Sequence, residues 1–82
     1  MSDETVARQA VGRRVAMARE LAGLTQGALA SKVYVTQPAV SQWERGVTLP
    51  TLAMQHAISD ALRTTRTRLF REIVLIEERV VA

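Results

Sequence analysis

Apolar residues recur along this chain at intervals of three and four, in short stretches separated by glycine, threonine or proline. Ala7, Val11, Val15, Ala18 and Ala22 form the first stripe and predict a helix over 6–22, ended by Gly23. Thr25 stands at an N-cap position, and Leu29, Ala30 and Val33 give the inner face of a second helix. Thr36 caps a third helix, with Pro38 in its first turn, where the missing N–H costs no internal bond. Since Pro38 cannot donate, the Thr36 hydroxyl is expected to accept from the Ala39 N–H. Val40 and Trp43 point inward, and Gly46 closes the helix. After the loop 47–50, Thr51 opens a fourth helix with Leu52, Ile58, Ala61 and Leu62 in a stripe. Arg63-Thr64-Thr65 interrupts the pattern, and a fifth helix is predicted from Arg66 to about Val80, with Leu69, Ile73, Ile76 and Val80 on one side. No strand-like alternation, repeat or linker intervenes, so the expectation is an all-α, five-helix domain spanning 1–82.

Composition narrows the function classes. Eighty-two residues allow one small core, and an apolar share of 48 % is too high for a disordered chain. Alanine and valine dominate that share, which suits short, closely packed helices. The net charge is +3, but it is unevenly spread: 5–71 holds ten Lys/Arg against three Asp/Glu, while Asp3, Glu4, Glu72, Glu77 and Glu78 sit at the two ends. A basic middle favours an anionic partner there. Cysteine is absent, so neither a disulfide framework nor a thiolate metal site is expected. The polar, acidic start is unlike a signal peptide, and no apolar run approaches a membrane span. A cytoplasmic, nucleoid-associated protein with no membrane partner is expected. His56 is the lone histidine, and no nucleophile has a base beside it, so no enzyme activity, cofactor, metal or small-molecule substrate is expected.

The second and third helices are joined by a link of three or four residues, which is the helix-turn-helix arrangement, here over about 25–45. Gly23-Leu24-Thr25-Gln26, Leu29-Ala30, the run Gln37-Pro38-Ala39-Val40-Ser41-Gln42-Trp43-Glu44-Arg45-Gly46, then Leu49-Pro50 and Leu52 make the chain resemble the lambda-repressor-like helix-turn-helix family (Cro/cI, XRE-type). The resemblance covers roughly 10–70. It implies a compact five-helix DNA-binding domain and a homodimer on a two-fold operator in double-stranded DNA. It also implies that the start of the third helix reads bases. Gln37 and Gln42 share an exposed face bordered by Ser41, a glutamine amide can pair with adenine N6 and N7, and Pro38 or Ala39 can meet a thymine methyl. Gln26, Tyr34, Arg45 and Thr48 are the phosphate-contact candidates, with Arg13 and Arg14 behind them. Trp43 and Val40 are expected in the core, and Glu44 matches a position that pairs with that of Arg19.

Three positions depart from the family pattern. Tyr34 stands where glycine is usual, Ala28 replaces the glutamate that would complete a capping box with Thr25, and Gln55 occupies a common buried-leucine position, so Met54 or Ala57 is expected to take over its packing. Arg63, Arg66, Arg68 and Arg71 could extend the DNA-facing basic surface or solvate the outer side of the last helix, and the second is expected. The segment from Leu69 to Val81 is more apolar than a monomer needs, and Ile73, Val74, Ile76 and Val80, within 66–81, are the expected dimer interface, as a continued helix or, alternatively, as a strand paired across the axis. The leading reading is a sequence-specific transcriptional regulator, most plausibly a small Cro-like phage or prophage repressor. An antitoxin or a restriction-system controller of the same fold is the alternative. A protein-interaction module without DNA binding is the rival class, disfavoured because the reading face keeps Gln, Ser and Gln.

Overall fold

The first five helices each start on a hydroxyl residue, and four stop on a left-handed turn. The computed structural model describes residues 2–81, with side chains through Arg79. Six helices follow in order: α1 (Asp3–Leu21), α2 (Gln26–Lys32), α3 (Gln37–Glu44), α4 (Leu52–Ala61), α5 (Arg66–Leu69) and α6 (Arg71–Val81). The hydroxyls of Ser2, Thr25, Thr51 and Thr65 accept from the N–H three residues on, at 3.0 to 3.2 Å. Thr36 does not: the Ala39 N–H turns onto the Thr36 carbonyl at 3.1 Å, so the predicted side-chain cap is replaced by a tight backbone turn.

At the C-terminal ends of α1 to α4 the backbone makes the same pair of bonds. Gly23, Tyr34, Gly46 and Arg63 donate to Glu20, Ser31, Trp43 and Asp60, and the residue after each donates five positions back. All four adopt positive φ, between 55° and 76°. For Tyr34 and Arg63, which carry a Cβ, this costs about 1 kcal/mol each. The turn at Tyr34 therefore keeps the geometry that glycine would have given it.

α1 lies at the centre of the packing, against α3, α5 and α6, while α2 packs on α3 and α4. Val11, Val15, Leu29, Val40, Ile58 and Phe70 are wholly buried, with Ala30, Val33, Trp43, Leu62 and Leu69 around them. Complete burial of one such side chain contributes roughly 1.5–3 kcal/mol. Ala22 and Leu52, placed on inner stripes by their spacing, are exposed. The predicted fifth helix is two helices, because the Phe70 backbone leaves helical geometry (φ −111°, ψ 34°) as its ring enters the core.

Several polar residues have structural work that spacing alone did not reveal. Gln55 is itself buried, so no neighbour substitutes for it: its amide donates to the Pro50 carbonyl at 2.9 Å and accepts from Arg66 Nε at 2.7 Å. Arg66 also reaches Glu77, and so it does not simply solvate the last helix. Arg14 donates to the Leu69 carbonyl and to both oxygens of Glu72, which ties α1 to the start of α6 and removes it from the phosphate-contact candidates. Ile73 packs against the core rather than lacking an internal partner. The Val80 side chain, assigned to the dimer face, lies outside the described residues.

α1 and α3 meet at Gly12. A Cβ there would fall 2.4 Å from the Glu44 carbonyl oxygen and 2.5 Å from that of Trp43. Gly12→Ala should therefore destabilise the protein by about 1–3 kcal/mol through overpacking, although alanine is the better helix former by about 1 kcal/mol. A melting temperature equal to or above the parent's would show that the two helices can separate at no cost. Trp43→Ala, which empties a buried site beside this contact, should cost about 3–5 kcal/mol in denaturant melts.

Candidate nucleic-acid interface

The buried ion pair between α1 and α3 anchors the site. Arg19 Nε donates to Glu44 Oε2 at 2.7 Å and Arg19 Nη2 to Glu44 Oε1 at 3.0 Å, a two-pronged contact between side chains only 11 % and 6 % exposed. The remaining guanidinium nitrogen donates to the Leu24 carbonyl at 2.8 Å, just before α2. The hydrogen bonds that Arg19 donates to Glu44 raise its pKa above the ordinary value; burial opposes this, and the charges of Glu44 and Glu20 reinforce it. A pair this buried gains little net stability, but it fixes the angle between its helices, and loss of one partner costs more than the pair contributes.

From Glu44 the bonding continues outward to the surface. Gln26 Nε2 donates to Glu44 Oε1 at 2.9 Å, and Gln26 Oε1 accepts from Gln37 Nε2 at 2.6 Å. Gln26 is the first residue of α2 and Gln37 the first of α3, so this chain of four side chains links the starts of both helices to α1. The amide orientation follows from charge: the Glu44 carboxylate can only accept, so Gln26 must present its NH₂ there and its oxygen to Gln37. Gln37 Nε2 keeps one further N–H, and its own oxygen has no donor among the described residues.

Gln37, Pro38 and Gln42 are exposed on α3 and Ser41 is half-buried beside them, while Val40 and Trp43 point into the core. The four base-contact candidates thus lie together on the outer side of one short helix. Arg45 and Thr48 are exposed at and after its end. Arg45 makes no ion pair among the described residues, which leaves its charge available to an anion. Tyr34 is 94 % exposed on the turn between α2 and α3. Arg13 is exposed on α1 and takes no part in this cluster. Spacing alone did not disclose Gly12, whose lack of a side chain lets α3 sit against α1; Gly46, read from the sequence only as a helix stop, also lies where a Cβ would meet the Gln9 backbone at 2.9 Å.

Among the described residues no His/Cys/Asp/Glu group could hold a metal, and no helix is long and apolar enough to cross a membrane. No curated protein sequence matches the chain. Among solved structures it is similar to the P22 c2 repressor protein in complex with a synthetic operator. The identity is 36 %, over 74 % of this chain and 92 % of that one, with a TM-score of 0.71. It is also similar to the restriction-modification controller protein C.AhdI from Aeromonas hydrophila, at 26 % identity over 84 % of this chain and 100 % of that one, with a TM-score of 0.78. A family transcriptional regulator from Vibrio cholerae, 23 % identical over 84 % of this chain and 39 % of its own, shares the fold with a TM-score of 0.74. The family model described as helix-turn-helix matches residues 15–69, more than half of the chain and all of the cluster built around Arg19, Glu44, Gln26 and Gln37. The chain belongs to the lambda-repressor-like helix-turn-helix family.

Proposed function

We propose that this protein represses transcription as a homodimer that reads a two-fold operator through the major groove. Its family makes it a DNA-binding transcriptional regulator. The observation that carries the finer reading is the Arg19–Glu44–Gln26–Gln37 chain, which holds one exposed amide in a fixed orientation at the tip of a helix narrow enough for the groove. Gln37 and Gln42 read bases, with Ser41 beside them and Pro38 offering an apolar edge to a thymine methyl. Gln26, Tyr34, Arg45 and Thr48 contact phosphates. Similarity to a repressor bound to its operator supports this reading. Similarity to a restriction-modification controller along its entire length supports a second one, in which the operator controls a restriction system.

The dimer contact is assigned to the side of α6 that the core leaves uncovered. Ile76 is 44 % exposed and lines, with Val47, Leu49 and Ile73, an apolar depression of about 640 Å³ rimmed by Glu4 and Arg8. Leu75 next to it is half exposed, and Val74 is partly buried. A two-fold operator calls for a two-fold protein, and an uncovered apolar patch is where its halves would meet.

Gln37→Ala should flatten discrimination among operator variants by about 1–3 kcal/mol. Arg45→Ala should weaken every sequence alike and reduce the slope of log affinity against log salt by about one. A Gln37→Ala protein that ranks the variants as the parent does would remove Gln37 from base reading. The double variant Leu75→Glu/Ile76→Glu changes exposed positions. It should melt like the parent, give monomer mass in light scattering at micromolar concentration, and lose operator affinity. A variant that stays dimeric would place the interface elsewhere.

A further inference from the structure

Not all of the exposed large apolar side chains lie near that depression. Val47 and Ile76 line it, whereas Val6, Met17 and Leu21, at 49 %, 62 % and 84 % exposure, lie on α1. At 3.6 residues per turn these three and Ala10 fall within a stripe about 60° wide that runs about 22 Å along the helix. α1 presents Gly12 and Arg19 to α3, and the stripe lies roughly opposite them around the axis. It is thus an unpartnered face on the far side of α1 from the reading helix.

Charge decides what can cover it. Arg13 borders the stripe, is exposed and makes no ion pair among the described residues; Glu20, beside it on that border, faces Arg19 at 3.7 Å, and Asp3 is an acid at the N-terminal end of the stripe. Arg14, on the other border, bonds to the Leu69 carbonyl and to Glu72 and so brings the segment 68–72 alongside. That segment adds Arg68 and Arg71, both exposed and equally outside any ion pair among the described residues. A second copy of this chain is a poor occupant. Pairing of the stripe with itself, parallel or antiparallel about its midpoint, sets Arg13 against Arg13 or Arg14 of the other copy, and like charges face to face repel. We propose that the outer face of α1 is a docking surface for an acidic amphipathic helix of another protein, about fifteen residues long, which binds while α3 remains on DNA. Its apolar side covers Met17, Leu21, Val6 and Ala10, and its carboxylates pair with Arg13, Arg68 and Arg71.

The probe is a labelled eighteen-residue helical peptide with leucines at matching four- and seven-residue spacings flanked by glutamates. It is compared with a scrambled peptide of the same composition and with a copy carrying lysine for every glutamate. Fluorescence anisotropy should detect binding of the ordered acidic peptide alone. Met17→Gln/Leu21→Gln should weaken that binding by roughly tenfold or more without changing the melting temperature, since both positions are exposed. Arg13→Glu should weaken the acidic peptide and strengthen the lysine copy. Operator added to the complex should leave the peptide bound. Equal binding of the scrambled peptide, or indifference to the Met17/Leu21 change, would overturn the proposal. So would loss of self-association in that double variant, which would make the stripe a contact between copies. The peptide titrations contain no DNA, so their outcome stands apart from the operator reading.

Discussion

The fold hangs on the approach of α3 to α1, which one ion pair and one missing side chain determine together. Gly12 removes the bulk that would hold the helices apart, and Arg19 and Glu44 then lock their angle with paired hydrogen bonds in a nearly dry setting. Neither feature suffices alone. A close approach without the pair would leave rotation about the contact free. The pair without the close approach would expose two charges to water and lose most of its directing power. Glu44 carries two further consequences, because its carboxylate also dictates how the Gln26 amide lies, and Gln26 dictates how Gln37 lies. Orientation passes from the interior to the surface through groups that each have a single way to satisfy their neighbours.

What could be read from the sequence was what is decided locally. The hydroxyl caps, the apolar stripes of α1 to α3 and the glycine stops each depend on residues within five positions, and they predicted the boundaries of those helices to within a few residues. The Arg19–Glu44 pair was legible only through the family resemblance. What escaped depends on contacts between elements. No glycine or proline marks the break at Phe70; its ring leaves the helix line to fill the core. Gln55 looks like a defect in an apolar stripe until Arg66, eleven residues on, supplies its partner. Gly12 looks like a weak point in a long helix until α3 is laid across it.

The arginines divide in the same way. Arg14, Arg19 and Arg66 are fastened to carboxylates and carbonyls and act as struts between helices. Arg13, Arg45, Arg68 and Arg71 are exposed and outside any ion pair among the described residues. The excess of positive charge in the middle of the sequence is therefore not one basic surface. Part of it is internal bracing, and what remains is spread over more than one side of the molecule.

The repeated left-handed stops separate specificity from foldability. Each of the first four helices carries its own terminator in the backbone, and the inner residues of α3, Val40 and Trp43, hold it to the body without help from positions 38 and 42. Those outward positions can drift through many residue types while the helix keeps its length and seat. A lineage could thus acquire new target preferences by substitution there without passing through an unstable intermediate, whereas Gly12, Arg19 and Glu44 have almost no freedom to change one at a time.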